Sequence, residues 1–565
     1  MGGSEAVSLS SIAQAGIIAI SEERLMRAWR ATAAWLLLGL MAGCGGAPHP
    51  PATDGALVPV RLALDITKSN GAIGTDAPRW VDAAGRPNRD ARDAMALLAD
   101  AAVEGLDPLD YDAARLQTLA SALDAGREPL ATDVAAFDAA LSVHTIRYFR
   151  DLHAGRVDPR AIGFEMNAPP DDDDFAALLG AARGRILDAA AAAAPPFALY
   201  RDLRGMLARY RSLAVDPSIE SLPPPGATVH PGEPYAGVAA LHRLLVRVGD
   251  LPADSPPPVT SSAYGGALID GVKHFQIRHG LRDDGVMGQE TQAALGVPLS
   301  QRVRQIELAL ERLRWLPHLG SERLLVVNIP MFQLWGWDAL PPDGTPSLGM
   351  KVIVGRALST RTPVFVEEMP YIIFRPYWNV PRSIARQEIV PTLQRDPDYL
   401  TRQDMEIVSG QGDDARVVAL SAESIALVRQ GTLRVRQRPG PKNSLGLVKF
   451  VFPNDDNVYL HGTPALQLFS RSRRDFSHGC VRVEDPVALA AWTLKDLPEW
   501  TRERILTAMN ASRPLQVNLP RPIQVILFYI TAVVMPEDGT MRFAEDIYRH
   551  DARLDRALAS RPLSR

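Results

Sequence analysis

Apolar residues change their spacing along the chain. From about Val60 to Leu222 they recur at helical intervals, as in Ala94-Met95-Leu97-Leu98 and Leu141-Val143-Ile146-Phe149, so this stretch reads as a helical scaffold. Asp107-Pro108 and Asp158-Pro159 mark helix starts or turns within it. The acidic run 171–174 stands just before Phe175-Ala176-Ala177-Leu178-Leu179 and reads as a helix N-terminus, whose dipole favours negative charge, in preference to a metal site. Leu222-Pro223-Pro224-Pro225-Gly226 reads as a linker. Three helical pieces follow: Val238 to Val248, Ala267 to Gln276 with Ile269, Val272 and Phe275 on one face, and Gln289 to Leu295. Arg302 to Leu316 is amphipathic, with Val303, Ile306, Leu310 and Leu313 on one stripe. Beyond it the texture is that of strands: Leu324 to Ile329, Met350 to Val354, Tyr371 to Phe374 and Gly446 to Phe452. Val525 to Val534 is almost wholly apolar and reads as one core strand. The expected class is a multidomain α+β protein: helical over 61–222, a small helical unit over 235–298, and mainly β over 322–550.

Composition narrows the functional classes. A content of 46% hydrophobic and 22% charged residues in 565 is that of ordinary globular protein. The net charge of -4 comes without a basic tail or aromatic-rich basic stripe, so no nucleic-acid partner is expected. Two cysteines cannot build a disulfide framework. Met26-Arg27-Ala28-Trp29-Arg30 and the apolar Ala31 to Met41 read as an export signal; the run is too short to span a membrane, which takes about 20 residues. It ends at Leu40-Met41-Ala42-Gly43-Cys44, which resembles a bacterial lipoprotein signal with Cys44 as the lipidated residue. The plainer reading is an ordinary signal peptide with an incidental cysteine. Residues 26–44 are thus the signal segment and 45–60 a tether. The expected location is the periplasm of a Gram-negative bacterium, with membrane attachment through lipid on Cys44.

The candidate chemistry sits near the C-terminal end, in Tyr459-Leu460-His461-Gly462-Thr463-Pro464 and Ser477-His478-Gly479-Cys480-Val481-Arg482. A thiol with its ordinary pKa of about 8.5 is mostly protonated at neutral pH and needs a base to act as a nucleophile. Cys480 has two imidazoles, His461 and His478, close in sequence. Gly479 lets backbone approach a substrate without Cβ hindrance. A zinc site built on His461, His478 and Cys480 lacks the usual ligand spacing, and no metal or organic cofactor is implied.

His461-Gly462-Thr463-Pro464 followed at nineteen residues by Cys480 within Ser-His-Gly-Cys-Val-Arg resembles the catalytic signature of the L,D-transpeptidases, the YkuD-type catalytic domain. The flanking Phe374-Arg375-Pro376-Tyr377-Trp378-Asn379-Val380-Pro381, the stretch Gln437 to Gly446 and Phe452-Pro453-Asn454 extend the likeness. The helical scaffold upstream makes the chain similar to the large, multidomain YcbB-like branch. That branch often carries Asp after the first histidine, where Gly462 stands here. The helical unit at 235–298 resembles the three-helix peptidoglycan-binding module, whose Phe-Gln pair and Asp-Gly-x-x-Gly turn appear as Phe275-Gln276 and Asp284-Gly285-Val286-Met287-Gly288.

The resemblance implies a set of roles. Cys480 is the nucleophile and His461 the base, oriented by the main-chain carbonyl of Gly462. His478 positions the loop or the substrate. Gly479 and Cys480 N–H groups form the oxyanion hole, with Tyr459 assisting. Ser477 hydrogen-bonds the loop within the substrate-binding segment, and Arg482 either meets a substrate carboxylate or pins the loop. Trp378 and Asn379 line the donor cleft, Phe275 and Gln276 belong to peptidoglycan binding, and an insertion at about 382–438 caps the cleft. The implied partners are peptidoglycan stem peptides, a tetrapeptide donor and a diamino-acid acceptor, with carbapenems as inhibitors. The same residues also suit a thiol carboxypeptidase or endopeptidase with water as acceptor. A wall-anchoring lipoprotein without catalysis is the reading from another class.

Overall fold

The computed structural model describes residues 78–560, with breaks at 126–127, 167–173, 225, 258–262, 317–318, 320–321, 411 and 413–414. The export signal, Cys44, the tether and residues 171–173 of the acidic run lie outside the described residues. Helices Arg89–Ala99, Ala113–Asp124, Ala131–Ala154, Phe175–Ala181 and Ile186–Ala193 close around Trp80, Tyr111, Phe137 and Phe149. The starts of Arg89–Ala99 and Phe175–Ala181, and of two short turns at Pro108 and Pro159, are fixed by side chains that accept otherwise orphaned backbone N–H groups. Asn88 accepts from Ala91, Asp174 from Ala177, and Asp107 and Asp158 each accept two residues on. The next helix, Ala198–Ala214, packs on Leu299–Leu313, and its Tyr200, Leu203 and Leu207 share a core with the β domain. Leu299–Leu313 begins and ends three residues before the expected Arg302 to Leu316, with Pro298 as its N-cap.

The small helical unit is built from Val238–Val248, Ala267–Arg278 and Gln289–Leu295 around Leu241, Leu245, Val272 and Phe275. Here a reading from the sequence is corrected. Phe275 is 5% exposed and Gln276 1% exposed, so neither presents its side chain to a ligand. Gln276 staples the Asp284–Gly288 turn. Its Nε2 donates to Val286 O at 2.9 Å and Thr291 Oγ1 at 3.0 Å, and its Oε1 accepts from Gly285 N at 2.9 Å. The Phe275 ring stacks on His279 at 3.8 Å, and His279 in turn lies 5.7 Å from Phe543 of the β domain. Gln276 thus folds the unit and Phe275 helps to dock it.

The strands, numbered along the chain, are β1 (Leu324–Asn328), β2 (Gln333–Trp337), β3 (Leu348–Gly355), β4 (Phe365–Phe374), β5 (Trp378–Asn379), β6 (Met405–Ser409), β7 (Arg416–Val418), β8 (Arg434–Gln437), β9 (Val448–Val451), β10 (Leu460–His461), β11 (Asp475–Ser477), β12 (Val481–Val483), β13 (Leu515–Phe528), β14 (Ala532–Val534) and β15 (Met541–Phe543). In the main sheet β2, β1, β13, β4, β9, β10, β12 and β3 bond in that order, and β3 pairs back onto β2. The sheet therefore closes on itself, which removes its free edges. One long strand does this: Leu348 to Lys351 of β3 bond β2, while Val352 and Ile353 bond β12. The β4–β13 ladder shifts register between Asn518 and Ile523, where Pro520 and Pro522 have no N–H to give.

Val525 to Val534 is not one strand. β13 stops at Phe528, and Ala532–Val534 forms a separate hairpin with β15. Polar groups between them are drawn out of the ladder. Tyr529 Oη donates to Asp546 (2.7 Å), Thr531 Oγ1 donates to Asp551 (2.5 Å), and the Asn328 amide holds both main-chain groups of Ile530 at 3.1 Å. Residues 378–437 form a second sheet in the order β5, β8, β6, β7. With a helical run at 382–395 it has its own core of Val380, Ile389, Val390, Leu393, Ile407 and Val435. At its base Asn443 Nδ2 donates to Pro376 O and Arg438 O, and Gln437 Nε2 donates to Gln403 O and Lys442 O.

Replacing Gln276 by Leu should destabilise the small helical unit by roughly 2–4 kcal/mol, since it orphans buried partners of the turn. Limited proteolysis with cleavage mapped to 235–295 measures this; unchanged protection would show that the amide is not structural.

Candidate active site

Strand pairing assembles the site. β10 pairs with β12 in parallel, Leu460 with Val481 and His461 with Arg482, and it pairs with β9 antiparallel, His461 with Lys449. Residues in register point to one side of a sheet, and those two apart share that side. Phe450, Leu460, Val481 and Val483 therefore face the core, and Lys449, His461 and Arg482 stand in a row on the opposite face. Tyr459 and Cys480 lie two residues back on that same face, so the thiol sits diagonally from His461. Diagonal neighbours have Cα atoms roughly 7–8 Å apart, within reach of long or aromatic side chains.

His461 is 4% exposed. Its Nδ1 lies 2.5 Å from the carbonyl oxygen of Gly462. A carbonyl can only accept, so Nδ1 carries the proton and Nε2 keeps its lone pair. Burial, reinforced by the positive charges of Arg482 and Lys449, pushes the imidazole pKa down to about 3. The ring is a neutral base. Gly446 lies against the supporting peptide with φ of 65°, and a Cβ there would come within 2.6 Å of the Gly462 carbonyl carbon. Only glycine fits that contact.

Cys480 is half-buried. Burial raises its pKa, opposed by the main-chain N–H and hydroxyl of Tyr459, which both face the sulfur, and by Lys449 and Arg482. The thiol points toward the Asn457 carbonyl at 3.7 Å. Tyr459 is pushed well above its ordinary pKa by burial and by the thiolate beside it, so its hydroxyl stays a donor. Lys449 Nζ lies 3.7 Å from the centre of the Tyr459 ring. Arg482 Nε is buried without a hydrogen-bond partner among the described residues, so that atom does not pin the loop.

The loop before Cys480 is held by its own polar groups. Gly479 has φ of 115°, a conformation that favours glycine. Its N–H donates to Ser477 Oγ at 3.1 Å, and its carbonyl accepts from Thr362 Oγ1 at 2.7 Å. The expected oxyanion role of Gly479 N–H is thus corrected: that donor is already engaged by Ser477, which is 2% exposed. His478 points away to the second sheet, with Nε2 donating to Glu388 Oε1 at 2.6 Å. Trp378 and Asn379 also belong to that sheet. Trp378 packs on its core, and Asn379 Oδ1 accepts from Arg434 at 3.4 Å.

Three family models match this chain. Residues 322–505 match the L,D-transpeptidase catalytic domain (YkuD), 75–207 match a model described as "Scaffold domain", and 235–295 one described as "Putative peptidoglycan binding domain". The stretch 322–505 is an L,D-transpeptidase catalytic domain. A Haemophilus influenzae protein named "Putative L,D-transpeptidase" is 33% identical over 258 residues, 46% of this chain and 50% of the relative. The match thus spans about half the length of that curated relative.

Within the YkuD domain, the sequence reading passes over several residues that complete the site. Lys449 is the polar member of Val448-Lys449-Phe450, an alternation that marks it as outward-facing; its register with His461 depends on tertiary pairing. Asn457, Thr362 and Glu388 come from segments whose approach to Cys480 no local pattern announces.

The buried imidazole carries a pH prediction. His461 titrates near 6.5 when unfolded and at about 3 when folded. Above pH 6.5 neither state binds the proton and stability is full. As pH falls toward 3 the unfolded chain takes up a proton that the fold refuses, and this group lowers stability by about 1.4 kcal/mol per pH unit. His461→Gln should flatten the acid dependence of the urea midpoint between pH 6.5 and 4; an unaltered slope would contradict a neutral buried ring.

Proposed function

We propose that this protein is a peptidoglycan L,D-transpeptidase that forms 3→3 crosslinks through a thioester on Cys480. The observation that carries the reading is His461, held with Nδ1 protonated by the Gly462 carbonyl on the strand beside a half-buried thiol. Its free Nε2 takes the thiol proton as sulfur attacks the carbonyl of the third residue, a diamino acid, of a tetrapeptide stem. Charge on the carbonyl oxygen meets the Cys480 N–H and the Tyr459 hydroxyl. One such donor is worth about 3 kcal/mol of transition-state stabilisation. The C–N bond to D-alanine then breaks, and His461 returns the proton to the leaving amine. The side-chain amine of a second stem attacks the thioester, its proton passes to His461, and the thiolate leaves and is reprotonated. General base and acid steps of this kind typically give 10²–10⁴-fold each.

The second sheet is the lid of this reaction. Glu388 on its helical run reaches His478, two residues from the nucleophile, and a covered cleft favours an amine over water as acceptor. The small helical unit is the wall-binding module, although Phe275 and Gln276 serve its core and docking, not contact with glycan. The signal-like 26–44 segment supports export to the periplasm, and Cys44 supports a lipid anchor there.

Incubated with a disaccharide-tetrapeptide, the wild-type protein should yield crosslinked dimer and free D-alanine. Cys480→Ala should yield neither, and dimer formation by that variant would overturn the mechanism. A carbapenem should add its mass at Cys480. Glu388→Ala should leave thioester formation within about threefold while shifting product from dimer to tripeptide; an unchanged ratio would deny the lid a part in excluding water.

A further inference from the structure

We infer that Lys449 is a positioning residue for Cys480: its ammonium supplies the positive field in which the thiolate forms and fixes the Tyr459 ring against the sulfur. The inference rests on the thioester reading and adds a residue to that site. β9 places Lys449 in register with His461, on the face that carries Cys480. The side chain does not run out to solvent; its Nζ sits 3.7 Å from the Tyr459 ring centre, a cation–π contact of the kind that strengthens when desolvated. Burial lowers its pKa, and the charge that opposes this is the Cys480 thiolate. A half-buried ammonium whose compensating anion is the nucleophile is arranged for the charged form of that nucleophile.

Of the other groups facing Cys480, only Arg482 shares this part. From β10, Tyr459 is neutral and His461 is neutral. In the loop, His478 is taken by Glu388. From β12, Arg482 adds a second positive charge that also favours the thiolate. In the step itself the S–H proton goes to His461 Nε2, sulfur keeps the electron pair, and Lys449 retains its own proton throughout. Its charge also opposes protonation of His461, so it favours the thiolate end of the transfer and resists the imidazolium end.

The test is alkylation of Cys480 by iodoacetamide across pH 6–10, followed by mass spectrometry of the Cys480 peptide in the full-length protein. Lys449→Met should move the midpoint up by about one pH unit, close to a tenfold slower reaction at pH 8, while Lys449→Arg restores it to near wild type. A Lys449→Met midpoint equal to wild type would overturn the inference, as would a shifted midpoint that Lys449→Arg fails to restore. Because no stem peptide is present, this result is independent of the crosslinking assay. Wild-type protein that makes no dimer would count against the proposed function, and an unmoved midpoint beside active wild-type protein would count against Lys449 alone.

Discussion

The parallel pairing of β10 with β12 is the constraint on which the rest of the structure depends. It is two residues long, Leu460 with Val481 and His461 with Arg482, yet it decides which side chains share a face. A slip of one residue would turn Cys480 and Arg482 into the core and present Val481 and Val483 to the cleft. Closure of the sheet guards against this. β3 is bonded to β2, β11 and β12 at once, so β12 cannot slide without opening the ring. Thr362 and Ser477 then hold Gly479, which leads into Cys480.

On that scaffold, two cations act on two titratable groups. Lys449 and Arg482 both oppose protonation of His461 and both favour the thiolate of Cys480. Burial works with them on the histidine and against them on the cysteine. The resting pair is therefore a neutral thiol and a neutral imidazole, and the two cations favour the thiolate end of a proton transfer while opposing the imidazolium end. At an effective dielectric near 20, a unit charge several ångströms away contributes a few kcal/mol, comparable to one oxyanion donor. A ring neutral to acid pH has its lone pair available at pH 7, but so low a pKa makes it a weak base, since a general base works best with a pKa near the working pH.

Part of this is legible in the residues. Tyr459, His461 and Cys480 stand in a local sequence that names their chemistry, and the helical spacing of Leu141, Ile146 and Phe149 announces the Ala131–Ala154 helix. What is not legible is pairing at a distance. Lys449 enters the site through an antiparallel register, and Glu388 through the docking of a sheet with its own core. The Val525 to Val534 run misleads because hydropathy says nothing of Asp546, Asp551 and Asn328, which pull Tyr529 to Thr531 off the ladder. Phe275 and Gln276 teach a related lesson: a recurrent pair beside a glycine turn is explained by the turn it holds, with no ligand needed.

The central claim is that His461 is a neutral base with its proton on Nδ1, donated to the Gly462 carbonyl. Selective nitrogen-15 labelling of histidine tests it most directly, through the ring nitrogen shifts of His461 assigned by His461→Gln. The account predicts a protonated Nδ1 and a bare Nε2 at pH 7, unchanged down to about pH 4. A doubly protonated ring at neutral pH, paired with a thiolate, would contradict it.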